Sequence, residues 1–251
     1  MTAPTPDTVL AIFLIFCRIG ACLMVIPGFS SSRIAVKVRL FIALTTSLAI
    51  SPLVIGKFES GLGSQAPFAV LWLIVSEILT GLTIGFLGRV YFMALQTLVT
   101  GAAMAIGFGS IPGTPFDDAE PLPAIGTMIM MVATAVLFLS DMHWELFRGL
   151  IASYSRLPIG ESFGSQFSLI QIVDRIGAAF VLALRISSPF IIYSVVVNLA
   201  VGLANKLTPQ IPVYFLATPF VMLGGLLLMY FLITDFISLF MDAFATWLRQ
   251  G

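Results

Sequence analysis

The sequence predicts an all-α integral membrane protein built of long helical hairpins, with about six hydrophobic segments. Three observations carry that prediction: charge is scarce, the apolar stretches are long enough to cross a membrane, and they do not alternate. Of the 251 residues, 59% are hydrophobic and 10% charged, and the mean hydropathy is +1.08. A soluble domain carries about 25% charged residues, so this composition could not coat a water-facing surface. A helical span needs about 20 mainly apolar residues. In hydrocarbon, every backbone polar group must be satisfied within a helix or a closed barrel. Continuous rather than alternating apolar runs select helices.

The segments follow in order. The first covers 8–27, after an opening MTAPTPD that lacks the basic start of a secretory signal, so it is expected to stay in the mature protein. The second covers 38–55, between PGFSSSR and GKFESGLGSQAP; the third covers 67–95 and runs on weakly to 110. The fourth is 124–140, after IPGTPFDDAEPLP; LPIGESFGS at 157–165 precedes the fifth, 176–204. The sixth is 212–234, with an apolar tail to 248. Each connection holds the Gly, Pro and Ser that punctuate helices, and no repeat or low-complexity segment stands out. Arg33, Lys37 and Arg39 crowd the first connection and Lys206 the fifth, which places both in the cytoplasm and the N-terminus outside. The third connection is proline-rich and carries Asp117, Asp118 and Glu120. It is expected to fold back into the protein rather than to follow a simple six-span count.

Several function classes fall away. A net charge of zero with no basic stripe argues against nucleic acid. Cys17 and Cys22 match no metal or redox spacing and read as small buried hydrophobes. With one histidine, His143, a multi-histidine metal site is excluded. Ser140, Asp141 and His143 are neighbours in sequence, but a catalytic trio is a matter of geometry. Asp141 and His143 read better as the watery end of a segment, so no enzyme activity, cofactor or metal is expected.

Ionisable residues within apolar segments cost about 2.5–3.5 kcal/mol each on insertion scales and usually face protein. Here they are Arg18, Glu77, Arg89, Arg185 and Asp235. No acidic position repeats as an ion path would want, so they are expected to bind neighbouring helices or one another. Gly81, Gly85 and Gly88 put small residues on nearby faces of one helix, which permits close backbone approach; Gly101, Ala105 and Gly109 do the same further on. Met128, Met130 and Met131 form a soft patch, lipid-facing or core.

The stretch 198–219, NLAVGLANKLTPQIPVYFLATP, interrupts two apolar runs. Pro209 and Pro212 cannot continue a helix interior, while Asn205, Thr208 and Gln210 offer local hydrogen bonds to freed backbone groups. It predicts a helical hairpin with Lys206 at its tip and Asn198 suited to an interhelical bond. Chemistry alone leaves a plain turn and a docking surface both open.

At this stretch the chain resembles the FliR family of type III secretion export-gate proteins, shared by flagella and virulence systems. The family hairpin reads Asn-Leu-x-x-Gly-Leu-x-Asn-[Lys/Arg]-x-x-Pro-Gln, and Asn198, Leu199, Gly202, Leu203, Asn205, Lys206, Pro209 and Gln210 match it. Arg18, Pro27, Arg39, Ala43 and Pro52 stand in the family's register without a gap. So do ILTGLTIGF at 78–86 and His143 followed by a helix ending in Tyr154 and Leu157-Pro158-Ile159-Gly160. Ala35 stands where the family usually has Pro, and 97–110 replaces polar positions common in relatives with Val99, Thr100 and Ala105.

The resemblance implies a non-enzymatic subunit that forms, with FliP and FliQ, the pore for unfolded flagellar substrates, with FlhB and FlhA as neighbours. The expected location is the bacterial inner membrane at the flagellar basal body. It implies a FliP-like portion at 1–165 and a FliQ-like hairpin at 166–251. Phe108, Ile111 and Phe116 become candidate plug residues, with bends at Gly107, Gly109 and Gly113. Asn198, Asn205, Lys206, Thr208, Pro209 and Gln210 become candidates for partner docking. Arg18, Glu77, Gly81, Gly85 and Arg185 become candidate intersubunit contacts. A virulence-type gate subunit is the alternative, and a stand-alone small-solute transporter a more distant one, since no pair of related halves with broken helices is found.

Overall fold

A computed structural model describes residues 6–31, 34–57, 66–109, 113, 123–158 and 165–250. Among these there are seven α-helices and no β-strand: α1 Pro6–Val25, α2 Val36–Val54, α3 Pro67–Ala105, α4 Ala124–Leu139, α5 Met142–Arg156, α6 Ser165–Leu207 and α7 Val213–Gln250. Five of them, α1, α2, α3, α6 and α7, are long and apolar enough to cross a membrane. The pair α4 and α5, bent by 70°, makes a possible sixth.

The helices begin and end where local chemistry dictates. Pro6 and Pro67 open α1 and α3, positions where a missing N–H costs nothing because the first N–H groups of a helix lack partners. At the end of α3, Gly107 takes φ +85°. The Phe108 amide donates to the Ala103 carbonyl at 2.8 Å and the Gly107 amide to Met104 at 3.2 Å. That pair of bonds closes a helix through a left-handed residue, which glycine adopts without strain. Asp141, at φ 55°, turns the chain between α4 and α5; Asp is one of the few side chains that tolerates this region.

Three helices carry an internal proline: Pro52 in α2, Pro189 in α6 and Pro219 in α7. Each removes a donor and orphans the carbonyl four residues back. In two cases the preceding serine repairs the loss. Ser51 Oγ donates to Leu48 O at 2.9 Å, and Ser188 Oγ to Arg185 O at 2.9 Å. Such local re-satisfaction lets proline persist in apolar helices.

The chain forms two compact units. The first comprises residues up to Tyr91, Asp141–Ile176 and the end from Ala245. In it α1 and α3 run parallel in close contact, with Leu14 packed on Leu73 and Leu10 and Ile74 beside them. The amphipathic α5 buries Leu146, Leu150 and Tyr154 on one face. Arg39 ties down the first connection, donating to Ser31 O at 2.5 Å and Ile34 O at 3.2 Å. The second unit comprises Phe92–Ser140 and Gly177–Phe244. Its core gathers Leu95 and Val99 of α3 with Ile106 just past its end, Met130 and Ala133 of α4, Phe190 of α6, and Phe240 and Phe244 of α7. Phe92 meets Phe240 and Phe244 edge-on at 5.2 and 5.6 Å between ring centres.

Three extents differ from the sequence reading. Helix α3 continues unbroken to Ala105, α6 begins at Ser165 rather than near 176, and α7 is one helix to Gln250. Hydropathy registers apolar side chains, whereas a helix propagates equally through polar residues once nucleated. The methionine patch divides: Met130 is buried, Met128 and Met131 exposed.

Candidate functional site

Two polar sites stand out in these apolar helices, and they differ in what their side chains touch. The first is centred on Arg18 of α1, which is 1% exposed. Its Nε donates to Glu77 Oε2 at 2.6 Å and its Nη2 to Glu77 Oε1 at 2.9 Å, a two-pronged pairing with α3. Nη1 donates to Ser153 Oγ at 3.2 Å and Nη2 also to the Leu157 carbonyl at 3.1 Å, both from the end of α5. The guanidinium lies 4.0 Å from the centre of the Tyr154 ring. One side chain thus fastens three helices. Arginine suits the task because its planar fork matches a carboxylate with two bonds and stacks on a ring.

The glycines complete this junction. A Cβ on Gly81 would collide with the Arg18 carbonyl, and one on Gly85 would lie 2.7 Å from the Cys22 carbonyl. Gly88 faces Ile26. A glycine stripe on α3 therefore lets α1 approach until Glu77 reaches Arg18. Four residues expected between subunits, Arg18, Glu77, Gly81 and Gly85, here make their contacts between α1 and α3 of one chain. The ion pair is 1% exposed on both sides and leaves no surface for a second protein. Ser153, Tyr154 and Leu157 were missed as ligands of Arg18, although Tyr154 and Leu157 had been marked as family positions. By contrast the row Gly101, Ala105 and Gly109 forms no such stripe: Gly101 opens on empty space and Gly109 meets only Met104.

The second site is the turn between α6 and α7. Leu207 ends α6 because Pro209 follows and cannot donate. The Thr208 amide and hydroxyl both converge on the Ala204 carbonyl at 2.9 Å, and Ile211 N bonds Thr208 O at 3.1 Å. Asn205, Lys206, Thr208, Pro209 and Gln210 are all exposed. Asn198 is exposed too, and its amide bonds the Ser194 carbonyl and hydroxyl of its own helix rather than another one. Asn198, Gly202 and Asn205 share one helix face, with Leu199, Leu203 and Lys206 beside it. Leu199 is 63% and Leu203 56% exposed, and nothing lies within 4 Å of a Cβ built on Gly202.

The remaining expectations are scattered. Phe108 lies half-buried just past α3, while Ile111 and Phe116 lie outside the described residues. Arg185 is exposed on α6. Ser140 and Asp141 cap the bend between α4 and α5, where His143 Nε2 stands 4.0 Å from Asp141 Oδ1. Among the described residues no group of three or more His, Cys, Asp or Glu could hold a metal ion.

These features define a class: a helical membrane protein whose buried polar groups hold its own helices together and whose exposed polar groups cluster at a hairpin tip. Similar proteins share most of its length. The flagellar biosynthetic protein FliR of Caulobacter vibrioides is 27% identical over 219 residues, covering 86% of this chain and 85% of that protein. The FliR proteins of Escherichia coli and Bacillus subtilis are 26% and 22% identical, covering 84% and 83% of this chain and 80% of each relative. The family model for bacterial export proteins, family 1, matches residues 9–247. The chain belongs to that family.

Proposed function

We propose that this protein is a non-enzymatic subunit of the flagellar type III export gate, forming with FliP and FliQ the pore through which unfolded flagellar subunits leave the cytoplasm. The observation that carries the reading is the face Asn198–Lys206, where the family's Asn198, Leu199, Leu203, Asn205 and Lys206 stand exposed and nothing lies within 4 Å of a Cβ built on Gly202. Its exposed leucines and open glycine suit close packing by another helix. The relatives' shared name supports the flagellar setting, at the basal body in the inner membrane. In this reading 1–165 is the FliP-like portion and 166–251 the FliQ-like hairpin. The tip meets FlhB, with FlhA nearby, and Arg185 makes contacts outside the chain. Phe108, Ile111 and Phe116 form an apolar plug that excludes ions by dewetting yet yields to a passing chain.

The experiment is co-purification of a tagged copy expressed with FliP and FliQ. A stable complex extracted in mild detergent is the expected outcome. Recovery of the chain alone, folded and monodisperse while its partners elute elsewhere, would overturn the assignment. Deleting 108–116 in the assembled gate tests the plug: ion leakage is expected, and a tight membrane removes the plug role.

A further inference from the structure

The two sides of the Arg18 junction are not equally secure. On the α3 side Glu77 takes the guanidinium fork at 2.6 and 2.9 Å, and both side chains are 1% exposed. On the α5 side the bonds to Ser153 Oγ and the Leu157 carbonyl are longer, 3.2 and 3.1 Å, and both residues are only half-buried. They belong to the last turn of α5, whose neighbours Ser155, Arg156 and Pro158 are exposed. Helix ends with few buried contacts open locally at far lower free energy than a packed core. The upstream turns of α5 are held separately: Leu146 and Leu150 are buried, and a Cβ on Gly149 would lie 3.3 Å from the Leu248 carbonyl.

Tyr154 separates the two sides further. Its ring lies on the guanidinium and it is 2% exposed, yet its buried hydroxyl has no hydrogen-bond partner among the described residues. A buried tyrosine hydroxyl normally finds one, and an unpaired one penalises the state that buries it. Phenylalanine would fill the same place on Arg18 without that penalty. The hydroxyl gains a partner once the ring leaves Arg18 for the polar surroundings of Ser155 and Arg156.

We propose that the end of α5, residues 153–157, is a releasable latch on the α1–α3 junction, lifting away while Arg18 stays paired with Glu77. Release forfeits two bonds and a ring contact but strands no charge, because the carboxylate fork remains; removal of Glu77 would strand one. The connection toward α6 begins at Leu157, so the latch also governs where the chain leaves α5. It uncovers the part of α1 that carries Cys17, which is half-buried and within electrostatic reach of Tyr154 and Glu77. None of this depends on the export-gate assignment.

Hydrogen exchange of the full chain, in whatever complex mild detergent extracts, reads the latch directly. Amides of 154–157 are expected to exchange well ahead of those around Arg18 in α1 and Gly81 in α3. Tyr154→Phe, which removes the hydroxyl and keeps the ring, should slow their exchange about fivefold, whereas Tyr154→Ala should speed it about tenfold. Maleimide alkylation is the second readout: Cys17 should follow the same order, while Cys22, which is 0% exposed, stays protected. Equal exchange in the natural chain and Tyr154→Phe, or faster exchange in Tyr154→Phe, overturns the proposal, since the hydroxyl would then hold a partner in the closed state. So does Cys22 of the natural chain reacting together with Cys17, which would mean that the whole junction opens at once. Tyr154→Phe loses no packing and decides the matter even if Tyr154→Ala fails to fold.

Discussion

The Arg18 junction and the hairpin tip use the same kinds of residue to opposite ends. At the junction every polar atom of Arg18 is spent inside the chain: two bonds to Glu77, one to Ser153, one to a carbonyl and a face on Tyr154. At the tip, Asn205, Lys206 and Gln210 are exposed and the local bonds go to the backbone of the turn itself. The difference teaches how to read polar residues in an apolar helix. Where a small-residue stripe lets a second helix close in, the charge is paired within the protomer and serves its architecture. Where no helix closes in, the polar groups remain available.

That contrast can be broken from its buried side first. Glu77→Ala leaves Arg18 charged and unpaired in the interior, at a cost of about 3–5 kcal/mol. The expected result is loss of the monodisperse protein and a large fall in thermal midpoint in detergent. Retention of wild-type stability would show the junction to be dispensable. Gly81→Leu should follow at about 1–3 kcal/mol, because the new side chain drives α3 away from the Arg18 backbone. A double variant with Glu77→Ala should then lose little more than Glu77→Ala alone, since both act on one contact.

Smaller effects sharpen the picture. Ser51→Ala, which removes the donor to the carbonyl orphaned by Pro52, should cost about 1 kcal/mol in the same thermal assay. Gly107→Ala should cost about 1 kcal/mol through its left-handed backbone. Lys206→Glu at the exposed tip should change stability by less than about 0.5 kcal/mol, yet reduce co-purification with partners or flagellar secretion. A Lys206→Glu protein that secretes normally would remove the tip's docking role, and one that unfolds would remove the contrast itself.

Much of this was legible in the primary structure. The spans followed from continuous apolar runs, and the polar stretch 205–210 with Pro209 between two such runs marked the hairpin, whereas Pro52, Pro189 and Pro219 within apolar runs sit inside helices. The glycines at 81, 85 and 88 announced close packing by their spacing alone. What they packed against was not legible. Glu77 and Arg18 are separated by 59 positions, and no local pattern links them. For the same reason their contacts were assigned to other subunits when they lie within one chain. Asn198 illustrates the reverse error, since a polar residue in a span suggests an interhelical bond, yet its amide turns back on Ser194. A helix side chain can always reach its own preceding turn, and only the presence of a neighbour decides whether it does.

The sequence by itself determined that this chain is helical, that it belongs with membranes and where its helices turn. Those properties depend on composition, short-range spacing, the locked φ of proline and the conformational freedom of glycine. The tertiary structure alone decided which of its scattered charges are consumed inside the protein and which face outward. Burial is set by elements distant in the chain, and burial determines whether a charge must find its partner at home.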